Sequence, residues 1–182
     1  MSDQNTINCR VRPMDESDLE EVLAWRNHPN VTQYMFTRAE IAWEAHCRWF
    51  ASARINPDKH LLIYEELGQM LGFVSFVISG SGAVADWGFY ASPQAAKGTG
   101  RRLARAALDY AFDRAGLHKV CGQVLAYNDR STCLHERMGF SREGLLREQH
   151  FDGERHIDVL CFGLLRSEWI VKQKEFQEKE NG

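Results

Sequence analysis

The chain has 182 residues, 44% of them hydrophobic and 26% charged, and a formal net charge of -3. That length suits one domain around one core, and the composition is that of a globular chain, not a disordered or collagenous one. The mild acidity offers no general basic field, so neither nucleic acid nor an anionic membrane surface is expected as a partner.

Five cysteines, Cys9, Cys47, Cys121, Cys133 and Cys161, are odd in number and contain no C-x-x-C pair. A disulfide framework or a zinc knuckle is therefore not expected, and no metal is assigned. Met1 to Ile7 are polar, and no stretch approaches the roughly 18 apolar residues of a membrane span. The pattern reads as cytoplasmic.

In chain order, Asn8 to Arg12 reads as a short strand closed by Pro13. Early carboxylates from Asp15, then Leu19, Val22, Leu23 and Arg26 at helical spacing, predict a first helix that His28-Pro29 stops. Thr37 to Glu40 has the form of a capping box and predicts a second helix from there to about Ala53. Leu61 to Tyr64 and Leu71 to Ile78 predict a hairpin, and Val84 to Tyr90 a third antiparallel strand. Leu103, Ala106, Ala107, Tyr110 and Ala111 form an apolar helical stripe that Gly116 ends. Val120 to Leu125 is then a buried strand, Asp129 to Met138 a short helix, and Phe140 onward a strand pair turning at Asp152-Gly153. The order βααβββαβαββ predicts a single α/β (α+β) domain over residues 1–170, a mixed sheet with helices on both faces. Residues 171–182 are a charged tail expected to fray.

Lys97-Gly98-Thr99-Gly100-Arg101-Arg102 stands between a strand and the apolar stripe of a helix. Glycines there let backbone approach a ligand at a helix N-terminus, whose free N–H groups and dipole favour an anion. Lys97, Arg101 and Arg102 add charge, so a diphosphate is the natural ligand. The sequence fits neither a P-loop, which needs Lys and a hydroxyl residue after its second glycine, nor a dinucleotide fingerprint, which needs Gly or Ala where Leu103 stands.

A second cluster follows the next strand: Asn128, Ser131, Leu134, His135, Arg137, Gly139 and Phe140. Together the two resemble the GNAT superfamily of N-acetyltransferases, which pair Q/R-x-x-G-x-G/A with N-x-x-A/S-x-x-L/F-Y/H-x-K/R-x-G-F. The second pattern is matched along its length. In the first, the expected Gln or Arg falls on Ala95, with Gln94 one place earlier. The resemblance implies a GNAT fold with a mostly antiparallel sheet and a splay between two parallel strands. It implies acetyl-CoA as co-substrate, its diphosphate on the glycine turn and its pantetheine amides paired with the main chain of Gly88, Phe89 and Tyr90. It places Asn128 as a residue orienting helix and cofactor, and puts His135 where many relatives carry a tyrosine that protonates the leaving thiolate. His135 is the candidate general acid, chemically competent as an imidazole. The alternative is a helix-face residue beside an apparatus that relies on water and positioning. Cys133 and His135 do not make a nucleophile and base, since residues two apart on a helix diverge. His150 and His156 flank the last turn without a third ligand.

The N-terminal half sets the acceptor in this superfamily. Trp25 to Val31, the helix around His46, Leu117 to Cys121 and Gly144 to Trp169 are similar to nucleotide-sugar N-acetyltransferases of bacterial pseudaminic acid synthesis. That similarity implies a UDP-linked 4-amino-4,6-dideoxy sugar as acceptor, with Arg26, Asn27, His46 and Trp49 binding it. Arg suits a phosphate fork and Trp49 a flat base. Leu145 to Trp169 also occurs in acetyltransferases for ribosomal-protein N-termini and polyamines. A protein N-terminus or polyamine enzyme and a non-catalytic CoA sensor therefore stay open, as does the oligomeric state, a homodimer included.

Overall fold

The computed structural model describes residues 9–181. Seven strands form one sheet in the order β1-β2-β3-β4-β5-β7-β6. They are β1 (Cys9–Pro13), β2 (Lys59–Glu66), β3 (Gln69–Ser79), β4 (Val84–Ala91), β5 (Lys119–Leu125), β6 (Ser141–Phe151) and β7 (His156–Leu165). Every neighbouring pair is antiparallel except β4 and β5. The expected Asn8 start of the first strand lies outside the described residues.

Leu61 to Tyr64 reads as an unbroken apolar run because both faces of β2 are covered. Strand alternation sends Leu62 and Tyr64 to one side and Leu61 and Ile63 to the other. On the first side they meet α4 (Thr99–Asp109), whose Leu103, Ala104, Ala107 and Leu108 form its buried stripe. A side chain at Gly72 would collide with Leu103, so this glycine sets how closely α4 lies on β3. On the second side α1 (Leu19–Asn27) and α3 (Trp43–Ala53) bring Leu19, Val22, Trp25 and Phe50 onto Leu61, Ile63 and Phe73.

Three elements differ from expectation. The capping box at Thr37 to Glu40 does not form, and α3 begins at Trp43. The Asn27 amide binds Ile41 at both ends, accepting from its N–H at 3.0 Å and donating to its carbonyl at 2.9 Å. That local competitor for backbone groups holds residues 37–42 as a loop. His28-Pro29 does end α1, but Pro29 also opens a one-turn helix, α2 (Pro29–Thr32), with the His28 ring accepting from Asn30 N–H. The charged end is helical: α6 (Arg166–Asn181) follows β7 directly. Trp169 is fully buried on Phe112 and, with Gln173, donates to Asp109, which ties the helix to the end of α4.

Candidate active site

β4 and β5 pair only from Val84 to Asp86 against Lys119 to Cys121. Beyond Asp86, Gly88, Phe89 and Tyr90 pair with Ser75, Val74 and Phe73 of β3 alone, so their other edge faces the gap where the two strands part. α4 opens at the end of this gap. Gly98, at φ 94°, adopts the left-handed conformation that a glycine takes at little cost. The N–H groups of Thr99, Arg101 and Arg102 are used within the turn. Those of Gly98 and Gly100 have no acceptor among the described residues, and a side chain at Gly100 would point into open space. Lys97 and Arg101 are exposed beside them.

Arg102 does otherwise than expected. Its guanidinium donates to Glu66, Nε at 2.7 Å and Nη2 at 3.1 Å, and to Thr99 Oγ1 at 3.2 Å. Gln94, one place from the motif position, accepts from Ser92 Oγ at 2.9 Å. Asn128 caps α5 (Asp129–Met138), its Oδ1 accepting from Ser131 N–H at 3.1 Å.

His135 lies on the buried side of α5, 2% exposed. Its Nδ1 stands 2.8 Å from the Ser131 carbonyl, and Trp87 Nε1 stands 3.1 Å from its Nε2. A carbonyl only accepts and an indole N–H only donates, so the ring is the neutral tautomer protonated at Nδ1. Burial pushes its pKa down, opposed by the bond to Ser131. The rings of Trp87, Phe89, Phe140 and Phe162 surround it. In this arrangement Nε2 has no proton to give, at odds with the general-acid role expected of it. Cys133, two residues earlier, is exposed, so the two side chains do diverge.

The residues expected to bind the acceptor lie near one another, linked through Phe73 and Tyr90. His46 stacks on Trp49 (5.1 Å), Trp49 meets Phe73 edge-on (6.0 Å), and Phe73 packs on Tyr90 (5.3 Å). Arg26 lies close enough to Tyr90 for its charge to oppose the rise in the phenol's pKa. Desolvation lowers the pKa of Arg26 and of His46 and raises that of Tyr90. Arg26 Nη2 donates to the Thr37 carbonyl at 2.6 Å, whereas its buried Nη1 has no partner among the described residues, nor has buried His46 Nε2. Asn27 stands apart: its amide is spent on Ile41, so it shapes the loop instead of facing an acceptor.

Several residues here carried no sequence signal. Tyr127 donates to the Gln33 carbonyl (2.7 Å) and accepts from Arg38 (2.9 Å), which also reaches Asp152 at 3.7 Å. These bonds join the 33–41 loop to the end of β5 and to the β6–β7 turn. His150 packs edge-on to Phe36, and His156 sits on Phe151. Among the described residues no cluster of His, Cys, Asp and Glu could hold a metal ion, and no helix is long and apolar enough to cross a membrane.

A family model of the acetyltransferase (GNAT) domain matches residues 8–141. The chain belongs to the GNAT acetyltransferase family. Over 167 residues it is 26% identical to spermidine N(1)-acetyltransferase of Vibrio cholerae, covering 90% of this chain and 96% of that protein. It is also 26% identical over 128 residues to acetyltransferase PseH of Campylobacter jejuni, covering 70% of this chain and 80% of that one. The crystal structure of the Vibrio cholerae spermidine N-acetyltransferase with CoA and spermine matches with a TM-score of 0.84 at 25% identity, covering 89% of this chain and 98% of that chain. This GNAT protein is an acetyl-CoA-dependent N-acetyltransferase. The free N–H groups at Gly98 and Gly100 and the unpaired edge of β4 fit the diphosphate and amides of that co-substrate.

Proposed function

We propose that the acceptor is the 4-amino group of a UDP-linked 4-amino-4,6-dideoxy sugar. The observation that carries this reading is Arg26: half-buried and partly desolvated, with its buried Nη1 unpartnered and no carboxylate paired to it among the described residues. A buried guanidinium donor without an acceptor is costly unless a ligand supplies the oxygen, and a diphosphate supplies it in the geometry a guanidinium prefers. Trp49, 38% exposed beside His46, gives the flat apolar surface a base would use. The similarity to PseH agrees with this reading.

In the reaction, acetyl-CoA supplies an acyl thioester. The free N–H groups of the glycine turn, with Lys97 and Arg101, hold the diphosphate, and the edge of Gly88, Phe89 and Tyr90 aligns the pantetheine arm. Arg26 and His46 fix the acceptor so that its neutral amine reaches the acyl carbon. A C–N bond forms as the C–S bond breaks, and the proton lost by the amine is in balance with the one gained by the thiolate. With both nitrogens bonded, His135 acts by holding α5 against β4, and water carries the proton.

A polyamine acceptor is the second reading, favoured by the length of the match to spermidine acetyltransferases. It asks a polycation to lie beside Arg26. Substituting Arg26 with Ala separates the two. Loss of a hydrogen bond to a charged group, about 1.5–3 kcal/mol, should raise KM for the sugar nucleotide roughly ten- to hundredfold. A polyamine enzyme would keep or improve its KM for spermidine.

A further inference from the structure

Glu66 ends β2, and the reaction makes no use of it. Its carboxylate nevertheless gathers three donors. Arg102 Nε and Tyr64 OH reach Oε1, each at 2.7 Å, and Arg102 Nη2 reaches Oε2 at 3.1 Å. Tyr64 is fully buried and Glu66 nearly so, while Arg102 is about one-third exposed. The same guanidinium donates to Thr99 Oγ1 at 3.2 Å, and its Nη1 lies 3.1 Å from where a side chain on Gly98 would begin. One Arg thus reaches both residues that open α4 and ties them to the end of β2.

We propose that Glu66 is a positioning residue for the donor: through Arg102 it clamps the Gly98-Thr99 turn in the shape that presents the free N–H groups of Gly98 and Gly100 to a diphosphate. The proposal rests on that turn being the diphosphate site. The clamp keeps Arg102 off the phosphates, and the sign of one measurement separates the two roles. A clamp that is broken binds acetyl-CoA less well, whereas an arginine released from Glu66 to meet phosphate binds it better.

The test compares acetyl-CoA with S-acetylpantetheine, which carries the thioester and lacks the diphosphate, in the wild type and in Glu66→Gln, Arg102→Lys and Gly100→Leu. Glu66→Gln and Arg102→Lys should each raise KM for acetyl-CoA by roughly fivefold or more, with KM for S-acetylpantetheine and for the acceptor unchanged. Thermal unfolding identifies a variant that fails to fold, in which case the other clamp variant decides. A lower KM for acetyl-CoA in Glu66→Gln, no change, or an equal rise for both donors overturns the clamp. If Gly100→Leu also leaves the two donors undistinguished, the fault lies in assigning the turn to the diphosphate. If Gly100→Leu discriminates and the clamp variants do not, only the clamp is lost.

Discussion

Gly122 on β5 lies under the Trp87–His135 hydrogen bond, and Gly122→Ala tests how much that buried contact contributes. An added Cβ would stand 2.5 Å from His135 Nε2 and 2.8 Å from Trp87 Nε1, whereas ordinary contact begins at 3.4 Å, so the ring must retreat by about 0.9 Å. From 3.1 Å, such a retreat takes the indole N–H and Nε2 out of bonding range. Overpacking a core costs about 1–3 kcal/mol, and stranding a buried donor and acceptor costs about 1–3 kcal/mol. Alanine in a strand recovers about 0.4–1 kcal/mol from the unfolded chain. The net loss is about 3 kcal/mol, which for a domain of this size lowers Tm by roughly 6–12 °C. Urea unfolding of Gly122→Ala, His135→Ala and the double variant reads it directly. Removing the ring should relieve most of the alanine's cost, so the two changes are strongly non-additive. A Gly122→Ala change within about 0.5 kcal/mol of wild type, or additivity with His135→Ala, would refute the packing described.

His135→Phe keeps a planar ring and removes both bonds. Its kcat should stay within a few fold of wild type while stability falls, and a large loss of kcat with acetyl-CoA binding intact would restore the general-acid role. Burial depresses the pKa of His46, His60 and His135, so below their ordinary value of about 6.5 the unfolded chain binds protons that the fold refuses. Stability should therefore be full above that value and be lost as pH falls through the depressed folded values. Urea midpoints at about pH 7.5 and 5.5 check this, and His135→Phe should flatten the slope. Gly100→Leu projects into open space, so Tm should hold while KM for acetyl-CoA rises well above any change in KM for the acceptor.

The sheet and its covering helices were legible because their signals are local and periodic. Short apolar runs bounded by turn residues marked the strands, the stripe from Leu103 marked α4, and Asp152-Gly153 marked the last turn. The loop at residues 37–42 was not, since the capping pattern there is overruled by Asn27, a residue fourteen positions away from its partner Ile41. α6 was missed because its charged surface hides one anchor, Trp169 on Asp109, that only the folded chain brings together. In the site, the glycine turn was readable from its motif. The use made of Arg102 was not, because its partner Glu66 lies at the far end of another strand. His135 stood in a recognisable position, but its chemistry depends on Trp87, 48 residues away. Pairings at such separations leave no periodic mark.

The acceptor assignment is tested most directly by offering one preparation acetyl-CoA with an equimolar mixture of spermidine and a UDP-linked 4-amino-4,6-dideoxy sugar, and following both by mass spectrometry. One acetyl group should appear on the sugar nucleotide, with spermidine left unmodified. Acetylated spermidine beside an untouched sugar nucleotide would contradict the assignment and give Arg26 a purely structural place under the 33–41 loop.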